Sequence, residues 1–165
     1  MKKIWILPVL ALLLTGCGAQ ETFETVSDIY AVPASASGCK LELTLPEEAA
    51  QPAMESGDGS LYLCDDYTVT VQTLDGGDLN RTLQHVTGFE KDDLTLMQTE
   101  QSGVKRYECA WTSAGEGVDQ ICRTVILDNG IGHYAVTVMA DYTQAGELAS
   151  VWQHILDSAK LVSTG

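Results

Sequence analysis

Residues 118–140 read VDQICRTVILDNGIGHYAVTVMA, two runs of β-branched and aromatic residues joined at Asn129-Gly130. Both turn residues tolerate the left-handed backbone that a two-residue hairpin loop requires, so the stretch predicts an antiparallel pair of strands over 118–128 and 133–140. Working backwards, residues 104–112 and 94–99 carry the same strand character, which makes this part of the chain a meander. Working forwards, Leu148, Val151, Trp152, Ile155, Leu156 and Ala159 recur every three or four positions. That spacing gathers them on one face of an amphipathic helix, and such a face is buried against a sheet.

Upstream, Leu41, Leu43 and Leu45 alternate with polar residues before Pro46. A polar loop closing with Ser56-Gly57-Asp58-Gly59-Ser60 follows, and then two further strand-like runs over 61–64 and 67–73. Val69 and Val71 point one way there and the threonines the other. Asp75-Gly76-Gly77-Asp78 breaks the alternation, after which Leu79, Leu83 and Val86 repeat at helical spacing, with Asp78 placed to cap the helix and Gly88 to stop it. The fold class implied is α+β, an antiparallel sheet of about seven short strands covered by a mid-chain helix and a C-terminal amphipathic helix. One domain over 39–165 is expected, with no internal repeat.

The N-terminus has a different character. Lys2 and Lys3 precede an apolar run over 4–14 interrupted only by Pro8, the pattern of a secretory signal. The run is shorter than the roughly twenty apolar residues a spanning helix needs. Leu14-Thr15-Gly16-Cys17 resembles the bacterial lipobox, in which small residues precede a cysteine that is lipidated on sulfur. The alternative is an ordinary signal peptide that contains a cysteine. The resemblance implies cleavage before Cys17, a diacylglyceryl group on that residue, and attachment to the extracytoplasmic face of the cell membrane. Residues 1–16 are then signal peptide, and 17–38 the lipidated cysteine and a flexible tether ending in Pro33-Ala34-Ser35-Ala36-Ser37-Gly38. Phe23, Val26, Ile29 and Tyr30 have spacing that suits a short amphipathic turn within it, but tether is the preferred reading.

Cleavage removes Lys2 and Lys3 and no acidic residue, which moves the formal net charge from −14 to −16. An acidic domain repels nucleic-acid phosphates, so no nucleic-acid partner is expected, and it also repels anionic lipid head groups. A charged partner would be cationic, although the same charge also serves solubility. With Cys17 assigned to lipid, Cys39, Cys64, Cys109 and Cys122 form an even set in an oxidising compartment. A hairpin closing symmetrically on residues 114–117 sets Cys109 opposite Cys122. Antiparallel pairing of the strand that Cys39 begins with the one Cys64 ends brings those two together. Bridges Cys39–Cys64 and Cys109–Cys122 are therefore expected, each contributing about 2–4 kcal/mol.

Residues 61–162 resemble the PsbP-like fold, through the helix over 79–86 and the strand Tyr134-Ala135-Val136-Thr137-Val138 leading to the helix around Trp152-Gln153-His154-Ile155-Leu156. The resemblance implies an antiparallel sheet sandwiched by helices. It transfers no functional residue, because members of that group include lipoproteins and assembly factors of varied activity.

Catalytic signatures are missing: no nucleophile elbow, P-loop, dinucleotide fingerprint or helical zinc pair occurs. His85, His133 and His154 fall on separate elements and read as surface or boundary residues. Asp75-Gly76-Gly77-Asp78-Leu79-Asn80 departs from a calcium loop and reads as a turn and cap. Asp65-Asp66 and Asp92-Asp93 read as solvated edges. Tyr107 and Trp111 share a strand face with Cys109, and together with Trp152 they are candidates to line a pocket or to pack the core. No catalytic residue, metal or cofactor is assigned. The leading expectation is a non-catalytic binding or assembly module whose partner is another envelope component. The alternative is a small-ligand or cation-binding lipoprotein for solute sensing or delivery, with a hydrolase built from scattered Asp and His residues ranked last.

Overall fold

The computed structural model describes residues 22–29, 38–114 and 117–164. Its strands are β1 (Phe23–Ile29), β2 (Cys39–Pro46), β3 (Met54–Ser56), β4 (Gly59–Leu63), β5 (Thr68–Asp75), β6 (Met97–Gln101), β7 (Val104–Ala114), β8 (Asp119–Asp128), β9 (Gly132–Asp141) and β10 (Lys160–Ser163). The helices are α1 (Leu79–Thr87) and α2 (Ala145–Ser158). They build an α+β molecule with a seven-stranded antiparallel sheet in the order β3-β4-β5-β9-β8-β7-β6 and a three-stranded sheet in the order β1-β2-β10.

The hairpin of β8 and β9 forms at Asn129-Gly130, where Asn129 Oδ1 accepts from the amides of Ile131 and Gly132 at 3.0 and 2.9 Å. β9 is the central strand and is buried on both faces, which is why its sequence runs apolar almost without alternation. One face of the large sheet carries Tyr107, Cys109, Ile126 and Ala135 against Leu83 of α1. The other carries Val69, Val71, Val125, Val136 and Val138 against Trp152, Ile155 and Leu156 of α2 and against Leu41, Leu43 and Leu45 of β2. The layers are thus α1, the large sheet, then α2 with the small sheet. At about 25 cal/mol per Å² of apolar surface buried, the second interface is the main source of stability.

α1 ends as the sequence predicts. The Asp78 side chain accepts from the Arg81 amide at 3.1 Å, and Gly88 closes the helix in the left-handed region at φ 81. Gly76 is required by space, since a Cβ there would lie 2.7 Å from the Ile131 carbonyl carbon.

Three expectations need correction. Residues 23–29, read as part of a tether, form β1, which pairs antiparallel with β2 in the register Phe23↔Pro46 to Val26↔Leu43. The alternation of Phe23 and Val26 around polar residues is too brief to distinguish a turn from an edge strand, and pairing with β2 decides it. Residues 30–37, the signal segment 1–16 and Cys17 lie outside the described residues. β2 itself joins the small sheet instead of the large one, and β10, which the sequence reading lacked, pairs along its other side.

The third correction concerns the cysteines: no disulfide is formed among the described residues. The β7–β8 register sets Cys109 opposite Thr124 and Trp111 opposite Cys122, because the connecting loop is centred one residue later than a symmetric closure on 114–117 requires. Cys109 and Cys122 become diagonal neighbours, and diagonal side chains stand about 7–8 Å apart, beyond disulfide reach. Cys39 begins β2 in the small sheet, whereas Cys64 follows β4 in the large one, so the strand pairing that was to join them does not occur.

Candidate functional site

A cleft of about 540 Å³ opens where the β6–β7 hairpin meets the end of α2 and the start of β10. Its apolar floor comes from Val104, Leu127, Ala159 and Leu161, and its polar rim from Ser102, Arg106, Asp157 and Lys160. These elements converge because Arg106 ties β7 to the helix end: its Nη2 donates to the Leu156 carbonyl at 3.0 Å. The Leu156 carbonyl also accepts from the Ala159 amide at 3.3 Å, and the guanidinium adds a cation at the negative end of the helix dipole.

The charges around the cleft are matched. Arg106 Nε donates to Glu108 Oε1 at 2.6 Å, Arg106 Nη2 lies 3.5 Å from Asp157 Oδ1, and Lys160 is paired with Glu42. No strong uncompensated charge faces an occupant, so the cleft suits an apolar or weakly polar one. Ser102 is the one non-glycine residue with positive φ among the described residues, at φ 53 beside Gly103 at φ 79. Glycine would adopt that turn without the roughly 1 kcal/mol penalty of a side chain in the left-handed region. The chain instead places a hydroxyl on the rim.

A second group lies across the large sheet. His133, only 1 % exposed, has Nδ1 2.6 Å from Thr82 Oγ1 and Nε2 3.7 Å from Asp128 Oδ2. Burial pushes the imidazole below its usual pKa, against the opposing pull of Asp128 and then Asp78. Hydroxyl, imidazole and carboxylate in a row have the composition of a nucleophile relay. Thr82 is itself buried, though it lines the small hollow beside it, and its bond to His133 works as a latch between α1 and β9. The sequence reading of His133 as a surface or boundary residue is corrected here. Beside the latch, Asp75, Asp78, Arg81 and His85 line a smaller hollow of about 220 Å³, and His85 Nε2 stands 3.4 Å from Gln72 Nε2. His154 lies elsewhere, in tilted ring contact with Phe23 with centroids 4.3 Å apart.

The remaining candidates do not assemble. Asp65 and Asp66 border a shallow hollow with Asp141, and Asp66 Oδ1 accepts from Gln144 Nε2 at 3.2 Å. Asp92 and Asp93 form a one-turn 3-10 helix. Among the described residues no group of three His, Cys, Asp or Glu side chains is placed to hold a metal. Tyr107, Cys109 and Trp111 share the α1 face of the sheet, where Trp111 Nε1 donates to Thr124 Oγ1 at 3.0 Å and Thr124 in turn bonds Thr137. Trp152 is buried on the opposite face, so these aromatics do not line one pocket. Burial raises the Cys109 and Cys122 thiols to about 11 and about 12, which keeps both protonated and unreactive at neutral pH.

The cleft residues escaped the sequence reading because they come from two distant stretches, the β6–β8 meander and the α2–β10 end of the chain. The one local signal was Ser102-Gly103, a turn pair between two predicted strands.

No helix among the described residues is long and apolar enough to cross a membrane. No protein-family model matches the chain, and no curated protein matches it in sequence. Solved structures do match in fold. Cyanobacterial PsbP (CyanoP) from Synechocystis sp. PCC 6803 superposes with a TM-score of 0.60 at 12% identity, covering 90% of this chain and 99% of its own. The Ran-binding protein Mog1p of Saccharomyces cerevisiae gives 0.52 at 8%, covering 88% and 97%. LpqN of Mycobacterium tuberculosis, involved in cell envelope biogenesis, gives 0.50 at 9%, covering 85% and 91%. Identities this low establish a shared fold and nothing about activity.

Proposed function

We propose that this chain is a lipoprotein anchored through Cys17 to the extracytoplasmic face of the cell membrane, and that its domain is a non-catalytic binding or assembly module of the cell envelope. The address rests on the basic start, the short apolar run and Leu14-Thr15-Gly16-Cys17. The binding role rests on one observation above all, the 540 Å³ cleft with an apolar floor, matched charges and the Ser102 hydroxyl on its rim. His133 is buried and its bond to Thr82 ties α1 to β9, a structural use that supports a non-catalytic reading. LpqN, an envelope-biogenesis protein, shares the fold and is consistent with an envelope role. The occupant is an apolar segment of another envelope component.

A photo-crosslinking residue at Ser102 tests this in intact envelopes, with Arg81, exposed across the sheet on α1, as control. An adduct is expected from position 102 and none from 81, and Val104→Trp, which fills the cleft, abolishes it while the melting temperature is kept. Equal adducts from both positions, or none from 102, contradict the proposal. The cleft volume also suits a small apolar solute, since ligand pockets commonly run about 300–1,000 Å³. That second reading is distinguished by a thermal shift with small molecules in the absence of any protein partner.

A further inference from the structure

We infer that the domain stands end-on at the membrane, with the Phe23–Pro46 end of the small sheet held against the lipid surface and the Cys39–Ser163 end pointing away. The inference rests on the lipid anchor proposed above and deepens it. It comes from where the chain is first secured to the fold. The Thr22 carbonyl accepts from the Glu47 amide at 2.8 Å, and the Thr22 hydroxyl donates to Glu47 Oε2 at 2.9 Å. Phe23 then pairs with Pro46 and its ring makes a tilted contact with His154 of α2. Strand pairing and this double contact fix the chain to the domain from Thr22 onward.

Only Gly18, Ala19, Gln20 and Glu21 separate Cys17 from that point. Five Cα-to-Cα steps of at most about 3.6 Å give a reach of at most about 18 Å, whatever their conformation. β2 has 8 residues, and at about 3.3 Å per residue its far end lies about 23 Å beyond Pro46. At that far end Cys39 pairs with Ser163, and the Thr164 amide donates to the Gly38 carbonyl at 2.9 Å.

A single short tether alone would let the domain tip over and lie flat. Charge opposes this: the cleaved chain carries a formal −16 and is repelled as a body by anionic head groups over roughly a Debye length, about 8 Å at physiological ionic strength. Covalent restraint at one end and repulsion of the whole body leave the upright pose as the one that satisfies both. Glu24, Glu47 and Glu48 at the secured end are repelled as well, so that end stands off the head groups within the reach of the tether and does not sink into them.

The test uses full-length acylated protein extracted from membranes and placed in vesicles containing phosphatidylglycerol and a head-group quencher. A coumarin amino acid is introduced at Glu48 in one sample and at Ser163 in another, both exposed positions. At low salt, quenching is expected to be at least about threefold stronger from position 48, and the ratio falls as salt is raised. Equal quenching from both positions at low salt, or stronger quenching from 163, overturns the upright pose. Failure of the anchor itself reads out separately, as protein that lacks the acyl mass on Cys17 and does not sediment with vesicles.

Discussion

His133 shows how one buried residue couples this fold to pH. Burial depresses its pKa from the ordinary 6.5, so the folded domain holds the ring neutral while the unfolded chain takes up a proton. The unfolded state binds more protons as pH falls below about 6.5, and stability is therefore lost in that direction. The slope cannot exceed about 1.4 kcal/mol per pH unit for one such group. Chemical denaturation at pH 7 and pH 5 checks it: the midpoint falls on acidification, and His133→Gln flattens that dependence while costing about 1–3 kcal/mol at pH 7 from the broken contact with Thr82. An unchanged pH slope in the variant contradicts the assignment.

The cysteines follow the same logic of burial. With their thiols raised to about 11 and about 12, Cys109 and Cys122 supply almost no thiolate at pH 8. Peptide mapping after alkylation is expected to find both modified at least tenfold more slowly in the native protein than in denaturant. A Cys109–Cys122 bridged peptide in unreduced digests would instead show that the β7–β8 register is two residues from the one described here.

At the scale of elements, the test case is β1. A tether contributes nothing to stability, whereas a paired edge strand with half-buried Phe23 and Val26 contributes about 2–4 kcal/mol. Deleting residues 18–29 while retaining Cys17 is expected to lower unfolding free energy by that amount in urea titration, and unchanged stability would return the segment to tether.

The elements that the sequence made legible are those with strong local signals. Asn129-Gly130 set a hairpin, Asp78 and Gly88 bounded α1, and the spacing from Leu148 to Ala159 marked α2. What it hid depends on pairing between distant segments. β1 and β10 are short strands completed only by β2, the β7–β8 register turns on a one-residue offset in a loop, and the burial of His133 on the α1 side of β9 reflects a packing partner, Thr82, fifty-one positions away. The cleft was illegible for the same reason, since nothing local in the sequence shows that the β6–β8 meander will meet the end of α2 and β10.

For the whole molecule, a fold shared with proteins at 8–12% identity shows that this architecture tolerates nearly complete sequence replacement, so function must come from features particular to this chain. Those features are an apolar cleft with internally matched ions, an acidic body, and an N-terminal segment secured within a few residues of a lipobox-like cysteine. Each of them depends on location, because the proposed anchor would determine which partners the cleft can meet and how the charge orients the domain. The decisive measurement is intact-mass and peptide mass spectrometry of the protein recovered from membranes. The account predicts an N-terminal tryptic peptide running from Cys17 to Lys40 with a diacylglyceryl mass on Cys17. A peptide that retains Met1, or an unacylated product free in the medium, would contradict it.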